Sequence, residues 1–264
     1  MFNFIQADLY RLAHKKSNYA FYGILFSLFV VAVILLQTSS PESEGISNAY
    51  IELGVFLLSQ AFPLFFGLQA YSTVYINDIS SSSHQNIFSS GLSKTEFVIG
   101  KFITFVIYLF TTFLIGAIVF FALFFFLTLS TGAQFDTGNL SNLAVVGVTI
   151  FLGMIGYAAV ANMVSFISQN TTVSLITFGV LISNISLTAL DLISLATDKL
   201  EFLRKLTLSY YINHTNQSVI AGFLPEMSSN AEPLVTWGVT VLYIVVASIV
   251  GILILSRIEI KEGK

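Results

Sequence analysis

Six stretches of this chain are apolar over close to the twenty residues that a helix needs to cross about 30 Å of hydrocarbon, and nothing else in the sequence restricts the fold so tightly. They run from Tyr19 to Leu36, Ile51 to Tyr75, Phe102 to Leu129, Ala144 to Ile167, Val173 to Leu190 and Trp237 to Leu255. Lipid offers no partner to backbone N–H and C=O groups, so each stretch must close its own hydrogen bonds as a helix. The composition agrees, with 55% of the 264 residues hydrophobic and only 9% charged. The expected fold is an all-α integral membrane protein of six transmembrane helices, one domain over residues 1–264.

Lys and Arg fix the orientation. Arg11, Lys15 and Lys16 precede the first span, Lys94 and Lys101 lie between the second and third, and Arg257, Lys261 and Lys264 follow the sixth. With six spans these clusters share one side, which the positive-inside rule makes cytoplasmic. The other side carries Glu42, Glu44, Glu52 and Asp136, and no base until Lys199, Arg204 and Lys205. Both termini are expected in the cytoplasm. Low Arg usage beside abundant Phe, Ile, Asn and Ser suggests an AT-rich bacterial genome, hence a bacterial plasma membrane. The net charge of −3 gives nucleic acid nothing to bind. The first span follows eighteen residues that include Asp8 and precedes QTSSPESEG, without a small-residue cleavage site, so it reads as a retained helix. Zero cysteines exclude disulfides, thiolate metal sites and cysteine lipidation.

Three polar segments interrupt the apolar pattern. In residues 1–18, at 100° per residue, Phe2, Ile5, Leu9, Leu12 and Ala13 share one side while Asn3, Asp8, Arg11, His14 and Lys15 share the other, the pattern of an amphipathic helix lying in the membrane interface. Residues 76–101, reading INDISSSSHQNIFSSGLSKTEFVIGK, form a polar island suited to a cytoplasmic partner. Residues 191–236 make the longest outer connection, and loops of that length usually carry structure or function. Within it Leu200, Leu203, Leu206, Thr207 and Tyr210 form a modest apolar stripe, read as a second interfacial helix with Tyr210 and Tyr211 at the headgroups.

Chemistry is sparse. The Gly100–Lys101 pair lacks the remaining phosphate-loop signature, having Thr95 where a Gly belongs and Phe102 where a hydroxyl belongs. His14, His84 and His214 lie in separate segments with no H-E-x-x-H or paired carboxylates, which argues against a metal or hydrolytic centre and against an enzyme. No charged residue stands near the middle of a span, whereas gradient-driven carriers place Asp, Glu, Lys or Arg there. Energy for any transport would therefore come from another polypeptide. Uncharged polar residues do occur inside spans: Thr177, Leu181, Asn184 and Thr188 on one face of the fifth, Thr104, Tyr108, Thr111 and Thr112 on one face of the third, and Gln60 and Gln69 on opposite faces of the second. Such groups either line a path or bond helix to helix. In the fourth span Thr149 with Gly153, Gly156, and Ala161 with Ser165 offer small surfaces for close packing.

The N-terminal A-D-L-Y-R-L, the six spans, the loop I-N-D…N-I-x-S-x-G-L-S-K-x-x-F-x-x-G-K and the long segment between spans five and six together resemble an ABC-2 type permease, the membrane subunit of an ATP-binding-cassette exporter. Size and layout are similar to the small permeases that export, or give immunity to, antimicrobial peptides such as lantibiotics, and the resemblance covers nearly the whole chain. It implies that Ser80 to Ser89 forms a coupling helix seated in an ATPase groove, with Ser83, Gln85, Asn86, Ile87 and Phe88 in contact and Gln169 and Asn170 as a second, smaller contact. It implies two ATPase subunits, which would bind ATP and Mg, and a second permease copy or a related permease. The chain itself would hold no cofactor. Spans two and five would line the path, bringing Gln60, Thr177, Asn184 and Thr188 forward, for an amphiphilic or apolar cargo. Two departures, Asp78 as the only acid ahead of the coupling helix and Gln85 where Lys is common, imply docking by shape and apolar contact. The competing readings are a non-transporting membrane sensor or scaffold, and export of a lipid-linked glycan or sodium.

Overall fold

Apolar sequence becomes helix throughout the computed structural model, which describes residues 1–39, 43–76, 93–132, 137–168, 170–196, 201–221 and 232–257. The described elements are α1 (Phe2–Ala13), α2 (Lys16–Ser39), α3 (Ser43–Phe56), a wide-turned π1 (Leu57–Gly67), α4 (Leu68–Tyr71), π2 (Ser72–Ile76), α5 (Lys94–Thr131), α6 (Thr137–Ser168), α7 (Thr171–Ile182), α8 (Ile185–Ala196), α9 (Glu201–Lys205), α10 (Leu208–Ala221) and α11 (Pro233–Arg257). Local chemistry sets several ends. Ser93 and Glu96 form a reciprocal capping box at the start of α5 (Glu96 N–H to Ser93 Oγ 3.2 Å, Ser93 N–H to Glu96 Oε2 3.1 Å), and Gly132, at φ 72°, ends that helix in the left-handed region. Pro63 lies inside π1; it has no N–H to give the α ladder, and π turns are one way a helix absorbs such a gap.

Among the described residues five helical stretches are long and apolar enough to cross a membrane, and a sixth is present only if two helices bent by 64° are joined. That pair is α7 and α8, and it changes the expectation of a straight fifth span. Ser183 closes α7, and Asn184 follows at φ 56°, a conformation Asn tolerates because its short polar side chain bonds locally. The expected stripe of Thr177, Leu181, Asn184 and Thr188 is consequently split across two helices that point in different directions.

α6 is the centre of the bundle: 67% of its most apolar stretch is buried, against 6% for α2. Met154, Ala158 and Ala161 of α6 share the main core with Tyr71, Phe105 and Phe178, and a smaller cluster of Val33, Ile46, Tyr50, Phe124 and Leu127 joins α2, α3 and α5. The small residues of α6 admit a neighbour closely. A Cβ on Gly153 would stand 2.5 Å from Ile212 Cδ1, and one on Gly156 would stand 2.7 Å from Leu208 Cδ2. The neighbour they admit is α10. Because the earlier glycine meets its later residue, the two helices run antiparallel.

This placement corrects the reading of the stripe from Leu200 to Tyr210 as a single helix. The stripe is two helices, since α9 ends at Lys205 and α10 begins at Leu208; Leu206 between them is exposed, and Leu200 lies outside the described residues. Leu208, Ser209, Ile212, Thr215, Asn216 and Val219 of α10 are all buried, a full helix face packed into the bundle. Arg204 pairs with Asp191 at 2.9 Å and so ties α9 back to α8.

α1 also differs from its sequence reading, which set Asp8 on the polar side. Its buried residues are Ile5, Asp8 and Leu12, while Phe2 is 75% exposed. The helix is rotated so that Asp8 meets Lys101 of α5 at 2.6 Å and Arg11 at 2.7 Å. A carboxylate can be buried when opposite charges satisfy it, and here two bases do so.

Candidate functional site

The break at Ser183–Asn184 opens a cavity of about 170 Å³ between π1, α6, the end of α7 and α10. Its polar lining comes from Ser59 and Gln60 of π1, Asn184 at the break, and Asn213, Asn216 and Gln217 of α10. Ile150, Met154, Ile182 and Ile212 supply apolar wall. The sequence places the α10 residues well: positions 213, 216 and 217 are i, i+3 and i+4 on a helix and therefore share a face. Tyr157, also in the lining, donates to Ser209 Oγ at 3.1 Å. Beside the cavity, Trp237 Nε1 donates to Thr149 Oγ1 at 3.0 Å and the Thr215 and Thr236 hydroxyls pair at 2.7 Å, holding α6, α10 and α11 together.

Irregular backbone at mid-bundle depth is tolerated where it is buried in protein or borders a polar cavity, and this cavity is such a place. Its lining carries no charged side chain among the described residues. Its carboxamides each offer both donors and an acceptor. Asn216 is 6% exposed and its Oδ1 is buried with no hydrogen-bond partner among the described residues.

Of the four path residues anticipated from sequence, the structure brings Gln60 and Asn184 to this cavity and leaves two outside it. Thr177 and Thr188 bond the carbonyls four residues back, Val173 at 2.8 Å and Asn184 at 3.2 Å. Such back-bonding satisfies the hydroxyl within its own helix. Sequence reasoning misses Asn213, Asn216 and Gln217 because the segment that becomes α10 reads as part of an outer connection, with the N-x-x-N-Q spacing at 213–217 as the available signal; it also misses Ser59, which stands next to Gln60.

The second-span Gln69 lies elsewhere. Its amide nitrogen donates to Asn18 Oδ1 at 2.9 Å and Thr73 Oγ1 at 3.2 Å, and its oxygen accepts from the Tyr22 hydroxyl at 2.9 Å. The Tyr22 and Tyr108 hydroxyls pair at 2.5 Å, so α2, α4, π2 and α5 are joined by one network. A similar group links Tyr71 to Asn162 at 3.0 Å and to Ser174.

At the end of the bundle that carries α1, the first turns of α5 are clasped by that helix. Phe4 and Phe97 rings stand 5.7 Å apart, and the absence of a Cβ on Gly100 lets the Phe4 ring approach. The coupling residues Ser83, Gln85, Asn86, Ile87 and Phe88, and Gln169 of the second contact, lie outside the described residues. Asn170 is described and caps α7, its Oδ1 accepting from the Thr172 N–H at 2.8 Å. Among the described residues no group of three or more His, Cys, Asp or Glu could hold a metal ion. Comparison with protein-family models, with curated proteins and with solved structures finds no match.

Proposed function

We propose that this chain is the membrane-spanning permease subunit of an ATP-driven exporter and forms half of a path for an amphiphilic or apolar cargo. The observation that carries this reading is the uncharged polar cavity at the break in the fifth apolar segment. Broken helices whose irregular backbone borders a cavity are a recurrent way for a membrane protein to hold a transported group. Among the described residues the lining has no Asp, Glu, Lys or Arg through which a proton or ion gradient could be coupled, so the energy comes from a partner. The partner is an ATPase engaging residues 80–89, with Ser83, Gln85, Asn86, Ile87 and Phe88 as contacts and Gln169 with Asn170 as a second contact. Two such ATPases and a second permease complete the assembly in a bacterial plasma membrane, with both termini cytoplasmic. ATP-driven closure of the ATPases then shifts the bundle at its loop and passes the motion to the cavity through rigid helices.

The ATPase is the discriminating element against a sensor or scaffold. In mild detergent the tagged chain should retain a Walker-motif ATPase, and Ile87→Ala with Phe88→Ala should weaken that association about thirtyfold, the effect of losing roughly 2 kcal/mol at an interface anchor. Full retention by the double variant would remove the docking assignment. Single cysteines at Ser82 and Ser228 should react with an impermeant thiol reagent from opposite faces; labelling of both from outside would remove the orientation.

A further inference from the structure

We infer that the cavity at the helix break is a binding site for an uncharged, ring-sized group that carries a carboxamide or a hydroxyl. The inference takes the cavity to be the cargo-facing site and rests on the permease reading for calling its occupant a cargo; the binding chemistry stands on the site itself.

The size comes first. A volume of about 170 Å³ is close to that of the roughly 150 Å³ engineered cavity that takes up benzene, so one ring or one residue of a larger molecule fills it. Charge comes second. Among the described residues no charged side chain lines the site, and an ion moved there would lose its hydration with no opposite charge to replace it. The polar inventory comes third. Carboxamides of Gln60, Asn184, Asn213, Asn216 and Gln217 surround the space, and a carboxamide pairs equally well with an amide or a hydroxyl. Asn213 is partly exposed and lines the space from α10, which leaves its carboxamide within reach of an occupant. Ile150, Met154, Ile182 and Ile212 take the apolar edge.

The buried hydroxyls without partners among the described residues mark no second site of this kind. Tyr75 borders a space of only about 20 Å³, room for one water, and Thr104 lines neither cavity.

Benzamide, benzoate and benzamidine share one ring and one planar substituent and differ in charge, so they test the chemistry on the unaltered full chain. With the protein in phosphatidylglycerol–phosphatidylethanolamine nanodiscs at pH 7, saturation-transfer NMR titration should give saturable benzamide binding at least about tenfold tighter than either charged analogue. Asn213→Leu should weaken benzamide by about tenfold or more, and Asn213→Asp should turn the preference toward benzamidine. If either variant fails to fold, the three-ligand series on the unaltered chain decides alone. Equal binding of benzoate or benzamidine overturns the inference, as does benzamide binding unchanged in Asn213→Leu. Absence of saturable benzamide binding overturns it too, and leaves a water-filled cavity. The assay contains no ATPase, so the two readings separate: selective binding without ATP-driven transport sinks the permease, whereas transport without selective binding sinks this site.

Discussion

Gln60 and Gln69 are the same side chain on the same apolar segment, nine residues apart, and the structure puts them to opposite uses. Gln69 is bonded to Asn18, Thr73 and Tyr22 within 3.2 Å and joins helices. Gln60 lies on the wall of the cavity beside Asn184 and Asn216. A polar residue type among apolar spans therefore does not reveal its own role. What separates glue from site is whether its hydrogen bonds close inside the protein or face a space where a ligand can supply them. The region around Gln69 is closed, and the region around Gln60 borders a cavity of about 170 Å³.

The most closed polar group lies at Asp8, and breaking it should give the largest loss of stability. Asp8→Asn removes the carboxylate shared by Lys101 and Arg11, and loss of one partner from a buried pair typically costs about 3–5 kcal/mol. Lys101→Met should be milder, because Asp8 keeps Arg11, and Asp8→Asn combined with Lys101→Met should recover most of the loss. Denaturant unfolding in detergent checks the order. A double variant no more stable than Asp8→Asn alone would show that the pair does not hold α1 to α5.

Next in size is the glutamine comparison itself. Gln69→Leu removes a hydrogen bond from each of three polar partners and should lower stability by about 1–2 kcal/mol with α2 loosened, seen as faster proteolysis. Gln60→Leu should stay within about 0.5 kcal/mol of the native protein and instead lower benzamide binding. Equal stability losses in the two variants would erase the distinction between glue and site.

Asn184 sharpens the comparison because it serves backbone and cavity together. Asn184→Leu should lose about 1 kcal/mol from the left-handed backbone conformation alone, whereas Asn184→Gly keeps that conformation free of strain and removes only the carboxamide. Weakened benzamide binding in Asn184→Gly with unchanged stability assigns the side chain to the site. Normal binding there leaves Asn184 as a turn residue. The smallest effects belong to Thr177→Val and Thr188→Val, whose hydroxyls bond their own helices. Both should fall within about 0.5 kcal/mol and leave binding unaltered; a clear loss of binding in either would extend the site beyond the cavity.

Much of the architecture is readable from residues alone. Apolar length announces the long helices, the glycines of the fourth stretch announce the close approach at Gly153 and Gly156, and Gln60 and Asn184 stand out as polar groups in apolar surroundings. Three features are not readable. Asp8 looks like part of a solvated face because a helical wheel shows one helix and not the Lys101 beside it. The stripe from Leu203 to Tyr210 looks continuous, although α9 stops and a buried α10 starts within it. Thr177 and Thr188 look like members of one stripe, and the 64° bend parts them from each other.

Helix, length and apolar character follow from the residues alone, since a helix closes its backbone bonds over four residues and needs nothing distant to do so. Which polar groups are paired follows from how the helices pack. The partners of Gln69 lie 51, 47 and 4 positions away, and the cavity gathers residues from Ser59 to Gln217. Side chains that far apart meet only through packing, and the bend at Asn184 with α10 seated on two glycines of α6 is the packing that leaves Asn184 and Asn213 lining unfilled space.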